Sequence, residues 1–281
     1  MNILDTILEH KRKEVEERRS LYPVKLLEQS IYFPSPTVSL RKYLQREDKS
    51  GIIAEIKRKS PSRGIINPYI SIERTSIGYM QAGASALSIL TDHHFFGGSN
   101  EDLTVARKFN FCPILRKDFV IDEYQIVESK SIGADAILLI AAALQPEKLS
   151  ALNSFAHSLN LEVIMEVHNE DELRKNRASD VDLIGVNNRD LRTFDVNIET
   201  SKRLSPLIPS SVVKVSESGI ESPEVILELI EYGFQGFLMG QKFMQTSRPE
   251  KAAMDFIRAM TRMKRERRGP TKEVLQPGFG K

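Results

Sequence analysis

From Gly51 onward the chain alternates regularly between apolar runs and stretches of helical spacing. The runs fall at 52–57, 84–90, 112–117, 135–140, 161–167, 182–187, 212–216 and 235–239. Most are nearly continuous in apolar, β-prone residues, as expected of parallel strands covered on both faces. Between them, 72–81, 123–131, 146–158, 170–176 and 223–232 carry helix-like patterns. Gly83, Gly133 and Gly233 stand just past three of these, where a left-handed cap is needed. Eight such units predict an α/β fold, a (β/α)8 TIM barrel over 51–263. An open doubly wound sheet would carry a Gly-rich fingerprint at its first turn, and none follows the first strand.

An N-terminal helical extension, 1–50, precedes the barrel. Ile3, Leu4, Ile7, Leu8 and Val15 predict a helix over 3–20 with charges on its far side. A loop with Pro23, Pro34 and Pro36 follows, then a short helix over 38–45 with Leu40, Tyr43 and Leu44 as its apolar edge. A last helix over 248–263 leads into a polar basic tail, 264–281. Its cluster Lys264 to Arg268 reads as solvated tail, because like-charge runs without aromatic interleaving are usually disordered. The whole is expected to be one domain.

Composition narrows the function classes. A net charge of +2 gives no electrostatic case for a nucleic-acid or membrane partner. No run approaches the ~20 apolar residues of a membrane helix, and the charged N-terminus does not read as a signal peptide. The single cysteine, Cys112, excludes a disulfide framework and suits a reducing cytoplasm. It lies in an apolar run, so a buried thiol is expected rather than a nucleophile. A metal site is not expected: His93 and His94 are adjacent, and His168 has no Cys or His near it. Phe95 and Phe96 read either as an aromatic lid or as core.

Barrel active sites sit at the carboxyl ends of the strands. In the first run, alternation places Ile53, Glu55 and Lys57 on one face. The other strand ends and their loops bring Ser60, Lys117, Asp118, Phe119, Glu166, Asn187, Asn188, Arg189, Asp190, Glu217, Ser218, Gly219 and Gly240. Gly219 and Gly240 mark the two loops where many barrels bind phosphate, so a phosphorylated substrate is expected. Crowding of Lys57 and Lys117 is expected to lower a lysine pKa and supply a proton donor near neutral pH. A Schiff-base lysine is the rival use.

The stretches AEIKRKSPSRG, LTDHHFFGGS, PILRKDFVIDEYQI, GADAILLI, LEVIMEVH, IGVNNRDL, SESGI and GFLMG, in that order, resemble the indole-3-glycerol phosphate synthase family. The likeness covers 3 to about 262 and includes the N-terminal helix. It implies ring closure, decarboxylation and dehydration of 1-(2-carboxyphenylamino)-1-deoxyribulose 5-phosphate, a carboxy-lyase step of tryptophan biosynthesis, without a cofactor. By motif position it implies Lys117 as general acid and Glu166 as general base, with Glu55 and Lys57 orienting substrate and assisting proton transfer. Ser60, Phe119, Leu138, Asn187, Arg189, Ser218 and Leu238 are the implied substrate positions, and Gly219, Gly240 and Gln241 the phosphate loops. Gln241 stands where the family often has a small hydroxyl or an acid, so its backbone N–H is the expected contact. A cytoplasmic monomer, weakly associated with other pathway enzymes, completes the expectation. Two rivals stay open: another phosphate-binding barrel such as phosphoribosylanthranilate isomerase, and a binding module acting through the basic tail.

Overall fold

Eight parallel strands close on themselves: β1 (Ile52–Ile56), β2 (Ala86–Leu90), β3 (Ile114–Lys117), β4 (Ala136–Ile140), β5 (Glu162–Val167), β6 (Leu183–Asn187), β7 (Val213–Glu217) and β8 (Gly236–Met239). Each pairs with the next, and β8 returns to β1 with Met239 opposite Ala54. The computed structural model describes residues 3–177 and 179–268. Most strands begin one or two residues later than the apolar runs, because residues such as Ala84 and Cys112 are buried before they join the ladder. The pleat sorts side chains into two layers. Ile53, Leu115, Leu138, Ile164, Val215 and Leu238 fill the barrel, whereas Ile52, Ala54, Ile56, Leu139 and Val163 face the helices.

The helices are α1 (Ile3–Leu21), α2 (Val24–Leu27), α3 (Leu40–Leu44), α4 (Ile72–Gln81), α5 (Asn100–Phe109), α6 (Glu123–Ser131), α7 (Pro146–Ser158), α8 (Glu170–Lys175), α9 (Glu199–Leu204), α10 (Pro223–Glu231), α11 (Gln241–Met244) and α12 (Pro249–Arg268). Pattern reading does not give α2, α5, α9, α11 or the small hairpin of Lys59–Ser60 and Gly64–Ile65. Of its residues α5 buries only Asp102, Leu103 and Ala106; its start is set by Ser99, whose side chain accepts the Asp102 N–H. The other three helices are too short for a period to show. Helix α12 runs five residues past the expected 263, so Lys264 to Arg268 are helical rather than tail. Arg267 pairs there with Glu231 at 3.0 Å. The rest of the expected tail, 269–281, lies outside the described residues. No helix among the described residues is long and apolar enough to cross a membrane.

The extension grips both ends of the barrel. At the amino ends of the strands, Leu40 and Leu44 of α3 join the interior core. Ser39 Oγ and the Arg41 N–H donate to the carboxylate of Glu162, the first residue of β5. At the carboxyl ends lies α1. Its buried face is Leu4, Ile7, Leu8, Lys11 and Val15, so Lys11 sits among the apolar positions and not on the charged far side. Lys11 is fully buried, with Nζ 2.9 Å from Asp92 Oδ2 and 3.0 Å from Asp118 Oδ1. Burial opposes its charge, but Asp118, Asp92 and Glu14 outweigh burial and hold it above the usual lysine range. The chain of opposite charges continues from Asp118 to Arg116 (3.1 Å), from Arg116 to Glu128 of α6 (2.7 Å), and from Glu128 back to Arg18 of α1 (2.5 Å).

Removing Lys11 leaves the buried Asp92 without its cation and takes one of two from the buried Asp118, which keeps Arg116. Lys11→Ala should therefore lower the unfolding free energy by about 3–5 kcal/mol, read by urea denaturation. A loss below about 1 kcal/mol, the worth of an exposed pair, would show that the cluster carries no such weight.

Candidate active site

A cavity of about 420 Å³ opens at the carboxyl ends of the strands. The fourteen positions to which the resemblance assigns a role all line it: Glu55, Lys57, Ser60, Lys117, Phe119, Leu138, Glu166, Asn187, Arg189, Ser218, Leu238, Gly219, Gly240 and Gln241; Asn188 and Asp190 lie outside it. Ile3, Leu4 and Ile7 of α1 add an apolar wall. Leu138 and Leu238 belong to the barrel's inner core, which ends here. Phe96 also lines the cavity and lies 6.0 Å, centroid to centroid, from Phe119. Phe95 instead packs against His94 and against His10 of α1. Cys112 is buried away from the cavity, and burial pushes its thiol up to about 12.

Charges concentrate at the centre. Lys117 ends β3, its Nζ 2.9 Å from Glu166 Oε2 on β5 and 3.4 Å from Glu217 Oε2 on β7. Lys57 Nζ lies 2.7 Å from Glu55 Oε1. The expected crowding of two lysines does not govern here, since each faces carboxylates. Burial disfavours the charge on Lys117, but Glu166, Glu217 and Glu55 outweigh it and hold Lys117 above the usual lysine range. The lowered lysine expected from the sequence is thus corrected: the donor is held strongly protonated.

The carboxylates divide. Burial opposes ionisation of Glu166, yet Lys117 and His168 outweigh burial and hold it well below the usual range. Glu217 is pushed up to about 7, first by burial and then by Glu166 and Glu55, against the pull of Lys117. Sequence reading places Glu217 beside its strand but gives it no role, because the apolar run ends at Ser216. Its signal was alternation: Val213 and Val215 point inward, so the next residue of that face does too. Gly185 on β6 makes room for it, since a Cβ there would sit 2.3 Å from Glu217 Oε1.

The phosphate-loop positions also acquire physical reasons. A Cβ on Gly240 would meet Glu55 Oε1 at 2.5 Å, so this glycine clears space for Glu55. Ser218 and Gly219 both take the left-handed backbone region, φ 66° and 78°. Asn188 secures this turn: its buried side chain donates to Ser216 Oγ and to the Glu217 and Ser218 carbonyls, 3.0 Å each, and accepts from Ser201. Asn187 Oδ1 accepts the Arg189 N–H at 3.1 Å. Arg189 in turn donates to the Phe194 carbonyl at 3.0 Å and reaches Gln241 Oε1 at 3.4 Å. Burial and the nearby positive charge of Arg63 both lower the pKa of Arg189. Two guanidinium groups thus line one wall of the cavity, an arrangement that an anion would relieve.

Glu217 gives a pH test with a definite sign. Its folded pKa of about 7 exceeds the ordinary 4.5. The folded chain therefore holds a proton that the unfolded chain has released, and stability falls as pH rises between those values. Glu217→Gln removes this loss. Unfolding free energy at pH 8, relative to pH 5, should rise by at most about 3 kcal/mol in the variant over the parent chain. Equal pH dependence in both would refute the raised glutamate.

Comparison with known proteins follows the geometry. The family model for indole-3-glycerol phosphate synthase matches residues 4–256. The indole-3-glycerol phosphate synthase of Bacteroides thetaiotaomicron is 46% identical, covering 92% of this chain and 99% of its own. The synthases of Acinetobacter baylyi and Campylobacter fetus are 41% and 40% identical over 89% and 90% of this chain, and 93% and 98% of their own. Among solved structures, thiamine phosphate pyrophosphorylase from Pyrococcus furiosus superposes with a TM-score of 0.57 at 13% identity, covering 80% of this chain and 98% of that one, which shows the barrel alone. A match that runs from the pre-barrel helix into the last helix, at this identity, means that the chain belongs to the indole-3-glycerol phosphate synthase family.

Proposed function

We propose that this cavity converts 1-(2-carboxyphenylamino)-1-deoxyribulose 5-phosphate to indole-3-glycerol phosphate, carbon dioxide and water, with Lys117 as acid and Glu166 as base. One observation carries the assignment of roles: Lys117 stands between Glu166 and Glu217 inside a cavity with an apolar wall on one side and two guanidinium groups on another. The apolar wall suits the carboxyphenyl ring. The turn at Ser218 and Gly219, the start of α11 at Gln241 and the guanidinium of Arg189 suit the phosphate.

The aromatic carbon bearing the carboxylate attacks the substrate ketone. Negative charge grows on the ketone oxygen, and Lys117 meets it with a proton. A lysine held strongly protonated is matched to a developing alkoxide rather than to a neutral ketone. Attack leaves the nitrogen positive, so it draws in the electrons released when carbon dioxide departs. The ring hydroxyl then leaves as water with a second proton, assisted by the nitrogen lone pair. The methylene hydrogen beside nitrogen has become acidic in the resulting cation, and the ionised Glu166 takes it. Glu217, balanced near pH 7, is placed to return a proton to Lys117 between these steps. Lys57, paired with Glu55, orients the substrate. A buried free Cys112 suits the cytoplasmic setting expected from composition.

The substrate assay follows indole fluorescence and carbon dioxide release. Lys117→Ala should lower kcat by roughly 10²–10⁴-fold, the usual worth of a positioned proton donor, while product still binds. Near-normal turnover in this variant would overturn the role of Lys117. A parent chain that releases no carbon dioxide would overturn the reaction itself.

A further inference from the structure

His168 follows β5 and does not line the cavity, yet it lies directly behind a group that does. Its Nε2 is 3.3 Å from Glu166 Oε1, and its Nδ1 is 3.2 Å from Glu172 Oε2 on α8. Glu172 Oε2 also accepts the His168 backbone N–H at 2.7 Å, while Oε1 accepts from Asn169 Nδ2 at 2.7 Å. The far carboxylate is thus anchored, and the imidazole plane with it. The side chain is only 9% exposed.

A neutral imidazole has one N–H and one lone pair. Facing a carboxylate with each nitrogen, it would turn a lone pair on one of them. Only the imidazolium carries a positive charge and an N–H on both nitrogens; its Nδ1 is hydrogen-bonded to Glu172, and its Nε2 faces Glu166 as an ion pair rather than an aligned hydrogen bond. We propose that His168, anchored by Glu172, is a positioning residue that keeps the Glu166 carboxylate ionised and aimed into the cavity throughout turnover. The two oxygens of Glu166 then have different partners: Oε2 faces Lys117 and Oε1 faces His168. When Lys117 gives up its proton, Glu166 loses one cation and keeps the other. Without His168, that moment would leave a buried carboxylate with no counter-charge, which favours its protonation and ends its use as a base.

The surroundings agree. Burial lowers the affinity of His168 for its proton, but Glu166 and Glu172 outweigh burial and raise its pKa to about 10. Asp190, in the loop after β6, is a further acid within the field of His168; it accepts the N–H groups of Arg192 and Thr193. The 3-10 turn Ala141–Ala143 packed against α8 brings no charge. The other cation near Glu166 is Lys117, on the opposite oxygen.

The inference rests on Glu166 acting as base, so its test has two arms. The first is nitrogen NMR of the histidine rings at pH 8 in the full chain, with His168→Asn identifying the signal. A doubly protonated ring is expected, and a single neutral tautomer would overturn the proposal. The second is the pH profile of kcat. His168→Asn should move the acidic limb to higher pH by roughly one to three pH units, the effect of one nearby opposite charge. KM near the optimum should hold within about twofold, since His168 does not touch the cavity. Glu172→Gln, which keeps the imidazole and removes its anchor, should move the limb in the same direction by less, and serves if His168→Asn does not fold. An unmoved limb, or a fall in kcat equal at every pH, would overturn the positioning role. An imidazolium in a parent chain that shows no synthase turnover would instead overturn the functional reading.

Discussion

The structure depends on a run of alternating charges, buried except at its half-exposed end Arg18, that leaves α1 and returns to it. It passes from Lys11 to Asp118, Arg116, Glu128 and Arg18. Lys11 and Arg18 are seven residues apart, two helical turns, so both lie on one side of α1. Asp118 and Arg116 flank Lys117 in the chain, and strand alternation turns them outward where Lys117 turns inward. The strand that presents Lys117 is therefore clamped from behind by the segment that also supplies Ile3, Leu4 and Ile7 to the cavity. Each member would be costly to bury alone, and each is paired.

The interior of the cavity follows the same rule with a different outcome. At its centre Glu55, Glu166 and Glu217 face only two lysines, Lys57 and Lys117, so Glu217 shares the lysine that Glu166 holds more closely. Burial and like charge fall on Glu217, which therefore titrates near neutrality, while Glu166 stays charged. The three different protonation behaviours of Lys117, Glu166 and Glu217 thus arise from the placement of charges. The glycines at 185 and 240 belong to this arrangement, because each clears the space that a glutamate occupies.

Much of this was legible in the chain. The eight apolar runs carry the barrel because both faces of every strand are covered. The cavity positions were readable because strand ends converge at one mouth. What escaped has a physical pattern. Lys11 escapes because its charge hides that it occupies an apolar position of the helix. Glu217 stands among the strand-end residues, but its role escapes because the apolar run stops at Ser216, one residue before the strand does. The lysine pKa was read with the wrong sign because sequence reveals which charges gather but not which are nearest neighbours. Asn188 and His168 act through backbone carbonyls and a second carboxylate, partners that no spacing announces.

The extension holds the barrel at both openings, α3 at one and α1 at the other. Its docking surfaces come from Asp92, Asp118, Asp135 and Glu162, all synthesised later than the extension itself. The ring of strands closes only when β8 meets β1. During synthesis, then, the extension is made before the surfaces it settles on, and it has nothing to pack against until much of the barrel has followed it. Non-local pairing of this kind slows folding and leaves apolar surface waiting. The apolar side of α1 therefore waits uncovered in the nascent chain until Asp92, Asp118 and Glu128 of the barrel are in place to receive it.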